Sequence, residues 1–140
     1  MNSGMNAQTA QSDEWGTPDW LFRALDTEFK FALDPCASST NAKCSEFFTK
    51  EQNGLDQSWG GPVFINPPYS DVFSWVWRAL HTQTKIVMLL PVRTDNDWFS
   101  LLADAKSRVE FRFFRKRIAF LEDGVEMKSP RFASMVVVLR

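Results

Sequence analysis

Apolar positions along the 140-residue chain fall into short runs divided by turn-forming residues. After Thr17-Pro18-Asp19, the residues Trp20, Leu21, Phe22, Leu25 and Phe29 recur at the three- and four-residue spacing of an amphipathic helix. Thr17 is suited to be its N-cap and Pro18 its first residue, with acids in the early turns. Phe31-Ala32-Leu33 running into Asp34-Pro35 reads as a strand handing over to a loop. Residues 36–46 read as a loop or brief helix, and Phe47-Phe48-Thr49 as another short strand. Val63-Phe64-Ile65 is an apolar strand stopped by Asn66-Pro67-Pro68-Tyr69, because two prolines cannot continue a hydrogen-bonded ladder. Helical periodicity returns over 72–80, and Ile86-Val87-Met88-Leu89-Leu90, closed by Pro91, is the clearest buried strand. A helix over 95–105, strands over 109–114 and 117–121, and an all-apolar last strand over 135–139 complete the pattern.

Apolar strands alternating with helices predict an α/β fold whose mainly parallel sheet is covered on both faces. The last strands have no helices between them, which predicts an antiparallel edge at the C-terminal side. Ligands of open sheets sit beyond the carboxyl ends of the strands. Asp34-Pro35, Asn66-Pro67-Pro68-Tyr69 and Pro91-Val92-Arg93 fall at such ends, so they are expected to converge on one pocket.

Composition narrows the class. The length suits one domain, expected over 14–140, and the polar stretch 1–13 reads as a disordered tail and not a signal peptide. No apolar run approaches the length of a membrane span. Cys36 and Cys44 lack the companions of a zinc site, His81 is the one histidine, and no metal is expected; both thiols read as reduced, in a cytoplasmic protein. A G-x-G-x-x-G loop is absent, which counts against nicotinamide or flavin binding. Net charge is −1, but it is unevenly spread: 4 Lys/Arg stand against 10 Asp/Glu over 1–77, and 12 against 7 over 78–140. Lys106, Arg108, Arg112, Arg115, Lys116 and Arg117 dominate the second half, as one basic face would require. A solvated strand pair with its charges outward would give the same count.

Asn66-Pro67-Pro68-Tyr69 carries the sharpest chemistry. An aromatic amine is a poor nucleophile because its lone pair is delocalised into the ring. Two acceptors placed on its N–H groups favour a more tetrahedral nitrogen and free that lone pair. The Asn66 side chain offers one carbonyl and Pro67 a backbone carbonyl, while both prolines stiffen the turn and preorganise the acceptors. Tyr69 offers a flat face for an extruded base, worth about 1–3 kcal/mol in single-strand binders. The bland alternative is a strand-terminating turn. Asp34-Pro35-Cys36-Ala37 places a carboxylate where it can take the ammonium group of an amino-acid moiety, or simply make an Asx-turn. The helix start at Thr17-Pro18 can face a carboxylate, or be only a capped helix. Asn53-Gly54-Leu55-Asp56 is a turn rich in acceptors, able to read an amino group or merely to connect two elements.

From Trp15 to Leu139 the chain resembles the phage-type DNA N-6-adenine methyltransferase (Dam) family. The resemblance runs in order through Trp15-Gly16-Thr17-Pro18, Leu33-Asp34-Pro35-Cys36-Ala37, Asn41-Ala42-Lys43-Cys44, Phe48-Thr49-Lys50-Glu51 with Gly54-Leu55, and Asn66-Pro67-Pro68-Tyr69. It continues in Leu89-Leu90-Pro91-Val92-Arg93-Thr94-Asp95, Trp98-Phe99 and Ser134-Met135-Val136-Val137-Val138. It implies a compact class I methyltransferase-like (Rossmann-like) domain with S-adenosylmethionine as donor and adenine N6 in DNA as acceptor. It also implies donor binding by Trp15, Thr17, Pro18, Asp34, Pro35, Cys36, Asn53 and Asn66, with catalysis at 66–69. An acid is expected just before the Gly-Leu pair, where this chain has Asn53. Phosphate contacts are expected from Arg93, Arg112, Arg115, Lys116, Arg117 and Arg131. With no room for a separate target-recognition domain, sequence selectivity falls to loops or to a homo-oligomer. Rival readings are an N4-cytosine, RNA or protein-glutamine methyltransferase, and an inactive methyltransferase fold serving as a binding module.

Overall fold

The computed structural model describes residues 15–127 and 132–140. The expected tail over 1–13, and Arg131, lie outside the described residues. Helix α1 is Asp19–Phe29, followed by strands β1 (Asp34–Ala37), β2 (Phe47–Thr49) and β3 (Val63–Ile65). Helix α2 (Val72–Leu80), strand β4 (Ile86–Pro91) and helix α3 (Asp97–Asp104) come next, then β5 (Val109–Phe113). A small hairpin of β6 (Leu121–Glu122) and β7 (Val125–Glu126) precedes the last strand, β8 (Ser134–Leu139).

The central sheet has the order β3-β4-β8-β5. β3 and β4 are parallel, pairing Val63 with Ile86 and Ile65 with Met88, whereas β8 runs antiparallel to both β4 and β5. β1 pairs in parallel with β2 and is joined to β3 through a Leu33–Val63 bridge, where Phe64 N–H donates to the Leu33 carbonyl at 3.0 Å. The expected antiparallel edge is therefore only half present. The all-apolar β8 is interior, completely buried between β4 and β5, and β5 forms the edge. A strand apolar on both faces is stable only where neighbours and helices cover it, which drives β8 inward.

Alternation along the strands divides the core in two. Val63, Ile65, Ile86, Met88, Leu90, Met135, Val137 and Leu139 face α2 and α3. Phe64, Val87, Leu89, Val136 and Val138 face α1, together with Trp15, Ile118 and Phe120. Helix starts follow local chemistry on the first side: Asp71 accepts from Ser74 N–H at 3.2 Å, and Asn96 from Phe99 N–H at 2.7 Å. No helix among the described residues is long and apolar enough to cross a membrane.

Three local expectations need correcting. Asp34-Pro35 opens β1 and does not end it, because Asp34 N–H donates to the Glu46 carbonyl at 3.1 Å and the chain pairs with β2 as far as Ala37. Thr17 does not cap α1: Pro18, which has no side-chain acceptor, holds the cap position, and the Thr17 hydroxyl accepts from Asn66 Nδ2. Pairing of 117–121 as a strand is confined to Leu121, which joins β6 and also exchanges backbone hydrogen bonds with Gly16. Ile118 and Phe120 are instead buried against the α1 side of the sheet.

Candidate active site

β1, β3 and β4 share a direction, so their carboxyl ends gather at one end of the sheet. The start of α1 and the tetrapeptide Asn66-Pro67-Pro68-Tyr69 meet there. Asn66 Nδ2 donates to Thr17 Oγ1 at 3.1 Å and to the Trp15 carbonyl at 3.4 Å. A backbone carbonyl can only accept, so the amide nitrogen must face Trp15 and the Oδ1 end must face away. The preceding strand and the buried Pro67 fix the base of the side chain.

Tyr69 opens a short 3-10 turn and packs edge-to-face on Phe132 (5.2 Å between ring centroids) and Phe120 (6.2 Å). Trp15 lies 5.9 Å from Phe132 and nearly parallel to it, so one aromatic cluster supports both the tetrapeptide and the segment entering α1. Burial pushes the Tyr69 phenol well above its ordinary range. The Ser134 hydroxyl and Arg93 moderate this, although no well-aligned hydrogen bond joins Tyr69 to Ser134. Tyr69 Oη, Ser134 Oγ and Trp15 Nε1 are all buried without a partner among the described residues.

Next to the tetrapeptide lies a cavity of about 450 Å³, lined by Pro35, Cys36, Ser38, Asn53, Gly54 and Pro68 among others. Such a volume lies within the range of small-molecule and cofactor sites, about 300–1,000 Å³. Asp34 stands beneath it, 4% exposed, accepting from Lys43 N–H at 3.1 Å and Cys36 N–H at 3.4 Å. It thereby organises loop 38–43, whose Ser38, Ser39 and Asn41 line the cavity. Burial raises its carboxyl to about 6, outweighing the opposite pull of those two N–H groups. Nearby Cys44 is a free thiol pushed up to about 12, chiefly by burial and then by Asp34.

Across the cavity, Asn53 has φ 52°, a left-handed conformation that asparagine tolerates better than most residues. Its amide nitrogen donates to Asp56 Oδ2 at 2.8 Å. Gly54 is required by space, since a Cβ there would overlap the Pro35 carbonyl. The expected donor residues thus divide: Pro35, Cys36 and Asn53 line the cavity, while Trp15, Thr17, Pro18, Asp34 and Asn66 are not among its lining. Sequence reasoning gave no role to Lys50, Glu51 and Trp75, which also line it. Glu51 supplies a carboxylate two residues before Asn53, where an acid was sought.

The expected basic face divides as well. Arg93 and the exposed Arg115, Lys116 and Arg117 follow β4 and β5, at the same end of the sheet as the tetrapeptide. Lys106 and Arg108 precede β5, one strand length away, and Arg108 donates to the Leu80 carbonyl at 2.8 Å. Arg112 grips Glu28 with two bonds of 2.6 and 2.7 Å and reaches Glu110 at 2.6 Å. Arg112 thus differs from the other expected phosphate contacts in having its donors engaged by carboxylates of its own chain. Among the described residues no cluster of three or more His, Cys, Asp or Glu is gathered to hold a metal ion.

Comparison with known proteins identifies the family. The family profile described as DNA N-6-adenine-methyltransferase (Dam) matches residues 4–140. The DNA N-6-adenine-methyltransferase of Haemophilus phage HP1 (strain HP1c1) is 34% identical, over 99% of this chain and 84% of the relative. YfdM of Escherichia coli (strain K12) is 40% identical over 65 residues, 41% of this chain and 71% of that relative. A match over nearly the whole length, with the tetrapeptide at the convergence of the strand ends, assigns the chain to the DNA N-6-adenine-methyltransferase (Dam) family.

Proposed function

We propose that the chain transfers a methyl group from S-adenosylmethionine to N6 of adenine in DNA, with Asn66 Oδ1 and the Pro67 carbonyl as the two acceptors of the amine. Membership of the family gives the reaction class, adenine-specific DNA methylation. The observation that carries the residue assignment is the anchoring of Asn66 Nδ2 by Thr17 and the Trp15 carbonyl, which leaves Oδ1 turned away from both. An acceptor fixed in advance costs no reorganisation when the nitrogen becomes tetrahedral.

The donor, when bound, supplies an electrophilic methyl group on a sulfonium. The cavity of about 450 Å³ beside Pro68 is its proposed seat. Asn53, Glu51, Pro35 and Cys36 wall that seat, and Asp34 holds its loop and takes the ammonium charge. The chain's part in the reaction is to withdraw the two N–H hydrogens toward Asn66 and Pro67, leaving the lone pair free to attack. The proton departs afterwards to water. Proximity of base and donor supplies most of the acceleration. Tyr69 gives the base an aromatic wall, and Arg93, Arg115, Lys116 and Arg117 approach the phosphates.

The proposed architecture is a single class I methyltransferase-like domain. Parallel strands β1, β3 and β4, helices on both faces and a ligand-sized cavity beyond the carboxyl ends support that reading. Incubating the protein with labelled donor and plasmid DNA, then digesting to nucleosides, tests the function. Label in N6-methyl-2′-deoxyadenosine is expected; label in N4-methyl-2′-deoxycytidine, or none, would contradict it.

A further inference from the structure

The wall of the donor cavity nearest α2 is a single 3-10 turn, Gly54–Asp56, outside the sheet ladders. Beyond the Gln57 N–H that donates to the Gly54 carbonyl at 3.2 Å, carbonyls of this segment are collected by two side chains. Trp59 Nε1 donates to the Gly54 carbonyl at 2.8 Å. The Arg78 guanidinium, from α2, donates to the Leu55 carbonyl and, at 2.8 Å, to that of Gln57, while its Nε reaches Thr82. The same guanidinium lies 4.2 Å from the centre of the Trp59 ring, and Trp59 stacks on Trp75 at 6.0 Å and 11°. Trp75 is itself part of the cavity wall, so Arg78, Trp59 and Trp75 form a layered stack whose inner member faces the ligand space. No salt bridge to a carboxylate engages Arg78 among the described residues, which leaves the turn's carbonyls as its main polar partners.

We infer that Arg78 and Trp59 are positioning residues for the methyl donor, setting the wall made by Asn53, Gly54, Leu55 and Trp75 without touching the donor themselves. Arginine suits the task where lysine does not, because a planar fork spans two carbonyls two residues apart while an ammonium is a single point. The inference rests on the donor reading of the cavity, and it assigns this pair to donor affinity and not to the chemical step or to DNA.

The test is calorimetric titration with S-adenosylhomocysteine, run beside steady-state kinetics varying donor and DNA separately. Arg78→Lys is expected to weaken ligand binding and raise the donor KM about tenfold, the size of a lost charge-assisted hydrogen bond. Trp59→Phe, which keeps an aromatic ring but loses the bond to Gly54, is expected to give a smaller change of roughly threefold. For both, kcat and the DNA KM should stay within about twofold, the pattern of a binding contribution equal in ground and transition states. Melting curves establish that each variant is folded, and Trp59→Phe carries the test if Arg78→Lys is not. Unchanged donor affinity in a folded variant, or equal rises in the donor and DNA KM, would overturn the inference while leaving the donor cavity standing. Failure of the wild-type protein to bind S-adenosylhomocysteine would overturn the donor reading and the inference together.

Discussion

The two ends of the sheet treat their polar groups in opposite ways. At the end where β4 begins, charges neutralise one another. Glu28, Arg112, Glu110 and Arg140 form a continuous chain of ion pairs, and Lys85, Arg112 and Arg140 all lie within 6 Å of the Phe29 ring. At the end where β3 and β4 finish, hydrogen-bonding capacity is left unmet. Asn66 has the nitrogen end of its amide tied and its Oδ1 turned away, and Tyr69, Ser134 and Trp15 bury polar atoms without partners among the described residues. Asp34 carries a carboxyl that burial pushes up to about 6. A buried polar group without a partner costs about 1–3 kcal/mol, so folding alone would not favour several at one end. Their concentration beside a cavity marks where the chain forgoes stability for chemistry.

The comparison can be broken most forcefully at Asn66. Asn66→Ala should lower the single-turnover methylation rate by about 10²–10³, the usual loss for one preorganised hydrogen-bonding group. Donor affinity, measured calorimetrically, should barely change. A rate within tenfold of wild type would remove Asn66 from the chemistry.

Asp34 gives the next largest effect, through pH. Its carboxyl must be ionised to hold loop 38–43 fully and to take an ammonium charge. Donor affinity should therefore level off above pH about 6 and fall by up to about tenfold per unit below it. Asp34→Asn should flatten that profile. Stability carries the opposite sign. The folded carboxyl lies above the unfolded value of about 4, so its burial penalty is absent below pH about 4 and complete above about 6. Its contribution to thermal stability should decline as pH rises through that window, and a contribution that grew instead would refute the burial argument.

Smaller effects separate the basic residues of the two ends. Replacing Arg115, Lys116 and Arg117 together by Gln should weaken DNA binding and flatten its salt dependence, by about 0.9 in log–log slope for each phosphate no longer neutralised. Arg112→Gln, at the self-satisfied end, should leave DNA affinity and rate unchanged and lower the melting temperature only slightly, since exposed ion pairs contribute little. A loss of DNA affinity in Arg112→Gln equal to that of the triple variant would return it to the interface.

Much of this was legible in the chain because periodicity and proline report directly on backbone geometry. β3, β4 and α2 lie where apolar runs and the two prolines put them, and the tetrapeptide sits at a strand end as its composition demanded. The sequence was silent where long-range partners decide. Nothing local distinguishes a Thr17 that caps a helix from one that holds the amide of Asn66, 49 residues away. Nor could a list of arginines tell Arg112, consumed by Glu28 from 84 residues away, from Arg115. β8 was recognisable as a strand but not as an interior one, since an apolar run is compatible with any covered position. Glu51, Trp59 and Arg78 gained roles only when the Gly54–Asp56 turn was seen to need walls and acceptors.

The central claim is that Thr17 acts through Asn66, fixing its amide so that Oδ1 is ready for the amine. A double-mutant cycle on the single-turnover rate tests it most directly, using Thr17→Val, Asn66→Ala and the pair. Thr17→Val should slow transfer by about tenfold, the loss of one orienting hydrogen bond, in the wild-type background. It should have no further effect once Asn66 is already alanine. Independent, multiplying effects of the two substitutions would show that Thr17 does not work through Asn66 and would contradict the account.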